Sequence, residues 1–335
     1  MRPTDDPSRA TRDAIDAMAG AEAGSVFDEA FAEARIEAKA ILKDLMVGAL
    51  VRHAAPARAR ASRPPGGGRA REWGLYTYGI VAAGEGPVAP SPGIDPAHGT
   101  ELVAHEDLAA VVSKVWIGDF DEEEFQAHVD DVEWLEERLR SHERVLDELL
   151  AGRTILPMRF GTIHHDAEQV RLVLARHAPE FREALARIAG TTEWGVRVRI
   201  RPPEVRGWVE RTDGEARQLL ADADRSEEGH GYFLRRTREE RIEREVDRVA
   251  SEAAEAVHAT LLALSVDAAL LRGQSDPDGA LNAAYLVRRD HAGRFRAAVE
   301  QLRSELDPRG VSVGCTGPWP PYNFVSLDIA AELSG

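Results

Sequence analysis

Between Trp194 and Cys315 the apolar residues keep changing period, and that alternation constrains the fold more than any other feature of the chain. Trp194-Gly195-Val196-Arg197-Val198-Arg199-Ile200 alternates apolar with polar, the pattern of a half-buried strand. Helical spacing follows over about 203–223 and again over about 233–262. In the second stretch Leu234, Ile242, Val246, Val249, Ala253, Val257 and Leu261 make one stripe. Strands are expected near 263–271 and 280–287 around the turn Gln274-Ser275-Asp276-Pro277-Asp278-Gly279, then a helix near 293–306 and a strand near 310–315. The order β-α-α-β-β-α-β predicts a ferredoxin-like unit with one extra helix.

The residues before it predict a second α+β unit. Gly74 to Ala82 (GLYTYGIVA) is rich in Tyr, Ile and Val and reads as a strand, followed by a Gly/Pro loop through Gly84, Pro87, Pro90 and Pro92. Strands near 101–104 and 108–115 come next. Asp119 and Glu122 then open a long helix with the stripe Phe125, Val129, Val132, Leu135, Leu139, His142, Leu146 and Leu149, closed at Gly152. A strand over 153–160 and helix over 166–189, broken near Pro179, complete the unit. Glu72-Trp73-Gly74-Leu75 and Glu193-Trp194-Gly195-Val196 open the two units on a shared phrase.

Ahead of both lies a tail. Phe27, Phe31, Ala34, Ala38, Ile41, Leu45 and Gly48 alternate steps of four and three, a heptad rhythm that predicts an amphipathic helix over about 25–53. The helix either lies on its own protein or docks a partner or second copy. Pro64-Pro65-Gly66-Gly67-Gly68 then reads as a flexible linker. The expected organisation is tail and linker 1–68, an α+β domain 69–191, the ferredoxin-like domain 192–316 and a C-terminal arm 317–335.

Composition narrows the function. A formal charge of −16 argues against a phosphate backbone as partner, since such binding needs clustered Lys and Arg. Arginines interleaved with Glu and Asp along the helices predict solvated faces. No apolar run approaches the ~18 residues of a membrane span. The first twenty residues have no apolar h-region, so no secretory signal is expected. The one cysteine, Cys315, makes neither an internal disulfide nor a thiolate metal site by itself. A cytoplasmic protein without nucleic-acid or membrane partners is expected.

No catalytic, metal or cofactor constellation emerges. His164-His165-Asp166 is the tightest group of ligand-type side chains, but adjacent residues of an extended segment point to opposite faces. Asp166 there reads more simply as a helix N-cap. His142 sits on an apolar helix face and reads as a core or boundary histidine rather than a base. Gly84-Glu85-Gly86-Pro87 lacks the following helix that phosphate binding needs. A non-enzyme is expected.

Two stretches stand out. Ile155 to Ile163 (ILPMRFGTI) puts Pro157 inside an apolar strand, which therefore lies at an edge or is bulged, and Gly161 permits a turn closed to other residues. Gly317 to Val325 (GPWPPYNFV) surrounds Trp319 with three prolines, a stiff extended arm whose aromatics must pack on something. Both either close their own cores or present docking anchors, for which Pro157, Arg159, Phe160, Trp319, Tyr322 and Phe324 are the candidates.

These stretches, with Tyr78-Gly79-Ile80-Val81, Glu193-Trp194-Gly195-Val196 and Asn282-Ala283-Ala284-Tyr285-Leu286-Val287, resemble the successive blocks of the gas vesicle GvpL/GvpF family. The blocks occur in order across about three quarters of the chain, 73–325. The resemblance implies an accessory protein of gas vesicle formation with a modified ferredoxin-like C-terminal domain. It also implies contacts with the small hydrophobic shell protein and other accessory proteins, without catalysis or cofactor. The rival readings are a ligand-sensing regulator with paired ferredoxin-like domains and an RNA-recognition module, since fold alone does not carry function.

Overall fold

The computed structural model describes residues 73–85, 91–120, 132–271 and 278–325, all within one compact unit, 69–335. The helix expected over 25–53 and its linker lie outside these residues. So does the part of the expected helix after Asp119 that falls in 121–131.

The first sheet is built around β1 (Trp73–Ala82), with β2 (Thr100–His105), β3 (Leu108–Trp116), β4 (Leu156–Pro157) and β5 (Ile163–His164). Its order is β2-β3-β1-β4, with β5 also on β1, and every pairing is antiparallel. Helix α1 (Val132–Gly152) covers one face, while α2 (Ala167–Arg176) and α3 (Ala178–Ile188) cover the other. A bulge in β1 serves both layers. Pairing passes from Thr77↔Val112 to Gly79↔Val111, so Tyr78 is an extra residue. Tyr76, Tyr78 and Val81 therefore pack toward α1, and Leu75 and Ile80 toward α2 and α3. Gly79 has no room for a Cβ, which would lie 2.7 Å from the Ile155 side chain and from the Leu156 carbonyl. Residues 155–158 are thereby drawn tightly onto β1.

The second sheet contains β6 (Thr191–Ile200), β7 (Asp267–Leu270), β8 (Gly279–Arg288) and β9 (Val311–Trp319), antiparallel in the order β7-β8-β6-β9. Helices α4 (Pro202–Thr212), α6 (Glu228–Leu262) and α7 (Ala292–Leu306) bury their stripes on one face, and α5 (Gly214–Arg225) packs along α6. Trp194, Val196, Val198, Tyr285, Phe295 and Val313 form the centre of that core. The shared Trp-Gly phrase thus marks β1 and β6, each an interior strand of its sheet.

Several expectations need correction. The strand expected over 153–160 shrinks to Leu156–Pro157, because Pro157 has no N–H for the ladder and Gly161 turns the chain at φ 83°. The helix expected over 203–223 is two helices broken at Asp213. That carboxylate accepts from the Ala216 N–H at 2.7 Å, and the Arg241 guanidinium bonded to it holds its pKa down at about 2. The long helix begins at Glu228 rather than 233, so three helices, not two, separate β6 from β7. The strand expected over 263–271 is only Asp267–Leu270, since hydrogen bonds from Ala263, Leu264 and Ser265 continue the end of α6. The last strand runs beyond 315 to Trp319.

Candidate docking site at the C-terminal block

The block after Cys315 stays in the second sheet as far as Trp319, which pairs with Glu193 of β6. Then Tyr322–Phe324 make one 3-10 turn, and each of its side chains has a separate anchor. Asn323 donates its backbone N–H (2.8 Å) and its side-chain amide (2.5 Å) to the two carboxylate oxygens of Glu193. Glu193 is 5% exposed, and burial raises its pKa despite these two donors. Phe324, 6% exposed, packs on Ala284 and Leu286 across the sheet face opposite the helices, and its carbonyl accepts from Arg187 of α3. Tyr322 turns its hydroxyl toward α1, 3.1 Å from His142 Nε2.

His142 is the buried node of this arrangement. Its Nδ1 lies 3.0 Å from the Tyr76 hydroxyl, which also accepts from the Gly161 N–H at 3.1 Å. A neutral imidazole suits both tyrosines, donating through one nitrogen and accepting through the other. Burial lowers its pKa to about 3, so the ring is neutral at physiological pH. Tyr78 stacks on it at 5.7 Å and Phe160 meets it edge-on. The Tyr78 hydroxyl is itself satisfied by Ser113 at 2.8 Å and the Ile94 N–H at 2.6 Å. Tyr322 is 40% exposed overall, yet its inward hydroxyl is desolvated and its pKa rises well above the usual tyrosine range.

On the outer side, Glu143, Leu146, Asp147, Trp319, Pro320 and Tyr322 line a shallow dip in the surface, open to solvent. Burial raises the Glu143 pKa, as does the negative charge of Asp147; burial also raises that of Asp147. Both carboxylates keep contact with water, so the penalty is that of half-desolvated ions.

Of the six anchor candidates, Pro157 and Phe324 are buried and serve their own cores. Phe160 and Trp319 are half-buried, Arg159 and Tyr322 exposed. The structure brings Phe160, Tyr322 and Phe324 near one buried network through His142, Tyr76 and Glu193. The roles of Tyr76, Glu143, Asp147 and Glu193 were not foreseen. The local pattern offered no signal for Glu193: it shares the β6 face of Arg197 and Arg199, and Asn323 of the distant C-terminal block binds it there.

Asp166 caps α2, accepting from the N–H groups of Glu168 and Gln169 at 2.9 Å. His164 is buried with a pKa lowered by desolvation, and no group of three metal-ligating side chains occurs among the described residues. Burial pushes the Cys315 thiol up to about 11, away from reactivity. Among the described residues no helix is long and apolar enough to cross a membrane.

The arrangement of two sheets tied by a C-terminal block has counterparts. A family model described as gas vesicle synthesis protein GvpL/GvpF matches residues 74–326. The chain belongs to the GvpL/GvpF family. Gas vesicle protein L of Streptomyces sp. (strain CB03234) is 33% identical over 264 residues, covering 75% of this chain and 92% of that protein. Gas vesicle protein F2 of Halobacterium salinarum is 29% identical over 266 residues, 77% of this chain and 94% of its own. The crystal structure of GvpF from Anabaena sp. PCC7120 superposes with a TM-score of 0.57 at 18% identity, covering 76% of this chain and 99% of that one. The likeness to GvpF is one of fold: mixed α/β with two antiparallel sheets. Membership in the GvpL/GvpF family places the chain in gas vesicle assembly.

Proposed function

We propose that this chain is a non-enzymatic accessory protein of the gas vesicle that holds the small hydrophobic shell protein in the cytoplasm and contacts other accessory proteins during assembly. The observation that carries the reading is the continuous family match from 74 to 326, which takes in both sheets and the C-terminal block. The second sheet is read as a modified ferredoxin-like domain; its antiparallel order β7-β8-β6-β9 with a helix before β7 and another before β9 supports that. Arg159, Phe160, Trp319 and Tyr322 are read as the surface part of the docking region, with Pro157 and Phe324 shaping it from beneath.

A shell protein that assembles through apolar surface needs a soluble holder beforehand. A body of charge −16 with a few aromatic anchors meets that need, because the anchors bind while the charge keeps the complex dispersed. Co-expression with the shell protein of the same organism tests this. The shell protein should appear in the soluble fraction and co-purify with this chain. A shell protein equally insoluble with and without it would overturn the reading.

A further inference from the structure

We infer that the two sheets with their helices are two bodies hinged at Ala189-Gly190, and that residues 319–325 form a strap that closes the hinge and stays with the second body when it opens. Neither the hinge nor the strap depends on the holding role.

Little joins the two bodies apart from the strap. Helix α3 ends at Ile188 and β6 begins at Thr191, so the covalent link is two residues long. Both are exposed, and Gly190 stands at φ 68° with nothing within 4 Å of an added Cβ. A hinge needs such a spot, where a few residues at the ends of elements can change φ and ψ without a clash. Among the described residues no helix or strand of the first body packs along one of the second. The Arg289 guanidinium donates to the Arg153 carbonyl at 2.6 Å, and the Gly190 N–H reaches Thr154 Oγ1 at 3.5 Å. Arg289 follows β8, and its N–H is bonded to the Gly190 carbonyl at 3.0 Å, so both cross-links sit beside the pivot. Their lever arm is short, and they resist rotation weakly. The bonds far from the pivot are those of the strap.

The strap grips the two bodies unequally. On the second, Trp319 pairs with Glu193 in the sheet, Asn323 gives two hydrogen bonds to that buried carboxylate, and Phe324 is buried on Ala284 and Leu286. On the first, Tyr322 shares one hydrogen bond between neutral groups with His142, and the Phe324 carbonyl accepts from Arg187. Half-buried Val325 packs only at the margin of the core between the first sheet, α2 and α3. Two bonds to a buried charge and a buried aromatic ring outweigh a neutral bond, an arginine–carbonyl bond at an exposed arginine and a marginal contact. The closed strap also takes part of the water from Glu143 and Asp147, a penalty that opening relieves. Release therefore falls on the first body. A partner seated on Trp319 and Tyr322 then meets two states and favours whichever it binds more tightly.

Double electron–electron resonance on spin-labelled cysteine pairs tests this in the full chain carrying Cys315→Ser. Leu172→Cys marks the first body, and Ala297→Cys and Leu270→Cys mark the second, all at exposed positions. Tyr322→Phe/Arg187→Gln cuts both hydrogen bonds from the strap to the first body. In the two pairs that span the hinge, the double variant should raise the share of a second distance population roughly tenfold over the parent's. The pair within the second body should keep its single distance, and each single substitution should give a smaller rise. A label at Tyr322→Cys, which itself lacks the bond to His142, follows the strap. With Arg187→Gln added, its distance to position 297 should stay single and its distance to position 172 should split. Unchanged distances across the hinge in the double variant, or an equal change within the second body, would overturn the hinge. Should the double variant not fold, the two single variants carry the same comparison. A split distance from the strap to position 297 would overturn its attachment to the second body. None of these outcomes touches the holding role, which co-expression decides separately.

Discussion

Burial holds His142 neutral in the folded chain, with its pKa lowered from an ordinary 6.5 to about 3. The unfolded chain takes up a proton below 6.5 that the native state refuses. Stability from this group is therefore complete above 6.5 and is lost as pH falls toward 3, at about 1.4 kcal/mol per pH unit. The raised carboxyls of Glu143, Asp147 and Glu193 act in the opposite sense, but they are common to a variant and its parent. Urea unfolding of His142→Gln, whose amide can still donate and accept, should show a loss between pH 7 and pH 5 smaller than the parent's by roughly 2 kcal/mol. An equal loss in the two proteins would contradict the buried neutral ring. Gly310 gives a second residue-scale outcome. It sits at φ 81°, and an added Cβ would lie 2.5 Å from the Val205 nitrogen. Gly310→Ala should cost roughly 2 kcal/mol or more in the same assay. His142 was legible as a core position from its stripe, but its partners were not. Tyr76 and Tyr322 stand 66 and 180 residues away, beyond the reach of any local pattern.

Elements were legible where periodicity is long and uniform. The strands β1, β3, β6 and β8 and helix α7 lie close to where alternation and helical stripes put them. The misses have local causes. Apolar spacing stays helical on both sides of Asp213, so nothing in the pattern announces the break; its carboxylate, capping α5 and gripping Arg241 from α6, makes it. The strand over 153–160 fails because the apolar run there is buried by wrapping an edge, not by continuous pairing. Helix α6 has the clearest consequence. At 35 residues it is about 52 Å long. Between Gly231 and Ile242 it buries no side chain, whereas Ile242, Val249, Ala253, Val257 and Leu261 enter the core. Tyr232 and Phe233 are both more than 60% exposed near its start. Amide hydrogen exchange should be faster over 229–241 than over 249–261 by at least tenfold, since the first part is held mainly by α5 and by ion pairs such as Arg206–Glu239. Uniform protection along the helix would show that its start packs against something further.

The described residues form two sheets with their helices, joined by a C-terminal segment that touches both: Tyr322 reaches α1, Asn323 holds β6, and Phe324 takes a hydrogen bond from α3. That junction explains why ILPMRFGTI and GPWPPYNFV stand out as sequence blocks. One is pressed onto Gly79 without space for a Cβ; the other must satisfy Glu193, Arg187 and His142 within three residues. The blocks were visible because glycine, proline and aromatics are conspicuous; the contacts that demand them were not, since they join distant parts of the chain. Order of strands within each sheet was hidden for the same reason. Membership in the GvpL/GvpF family describes a participant in gas vesicle assembly. Deleting the gene from its own organism under vesicle-forming conditions, then returning it in trans, addresses that role directly by electron microscopy of the cells. Vesicles should disappear on deletion and return with the intact gene; vesicles of unchanged number and shape in the deletion strain would contradict a role in their assembly.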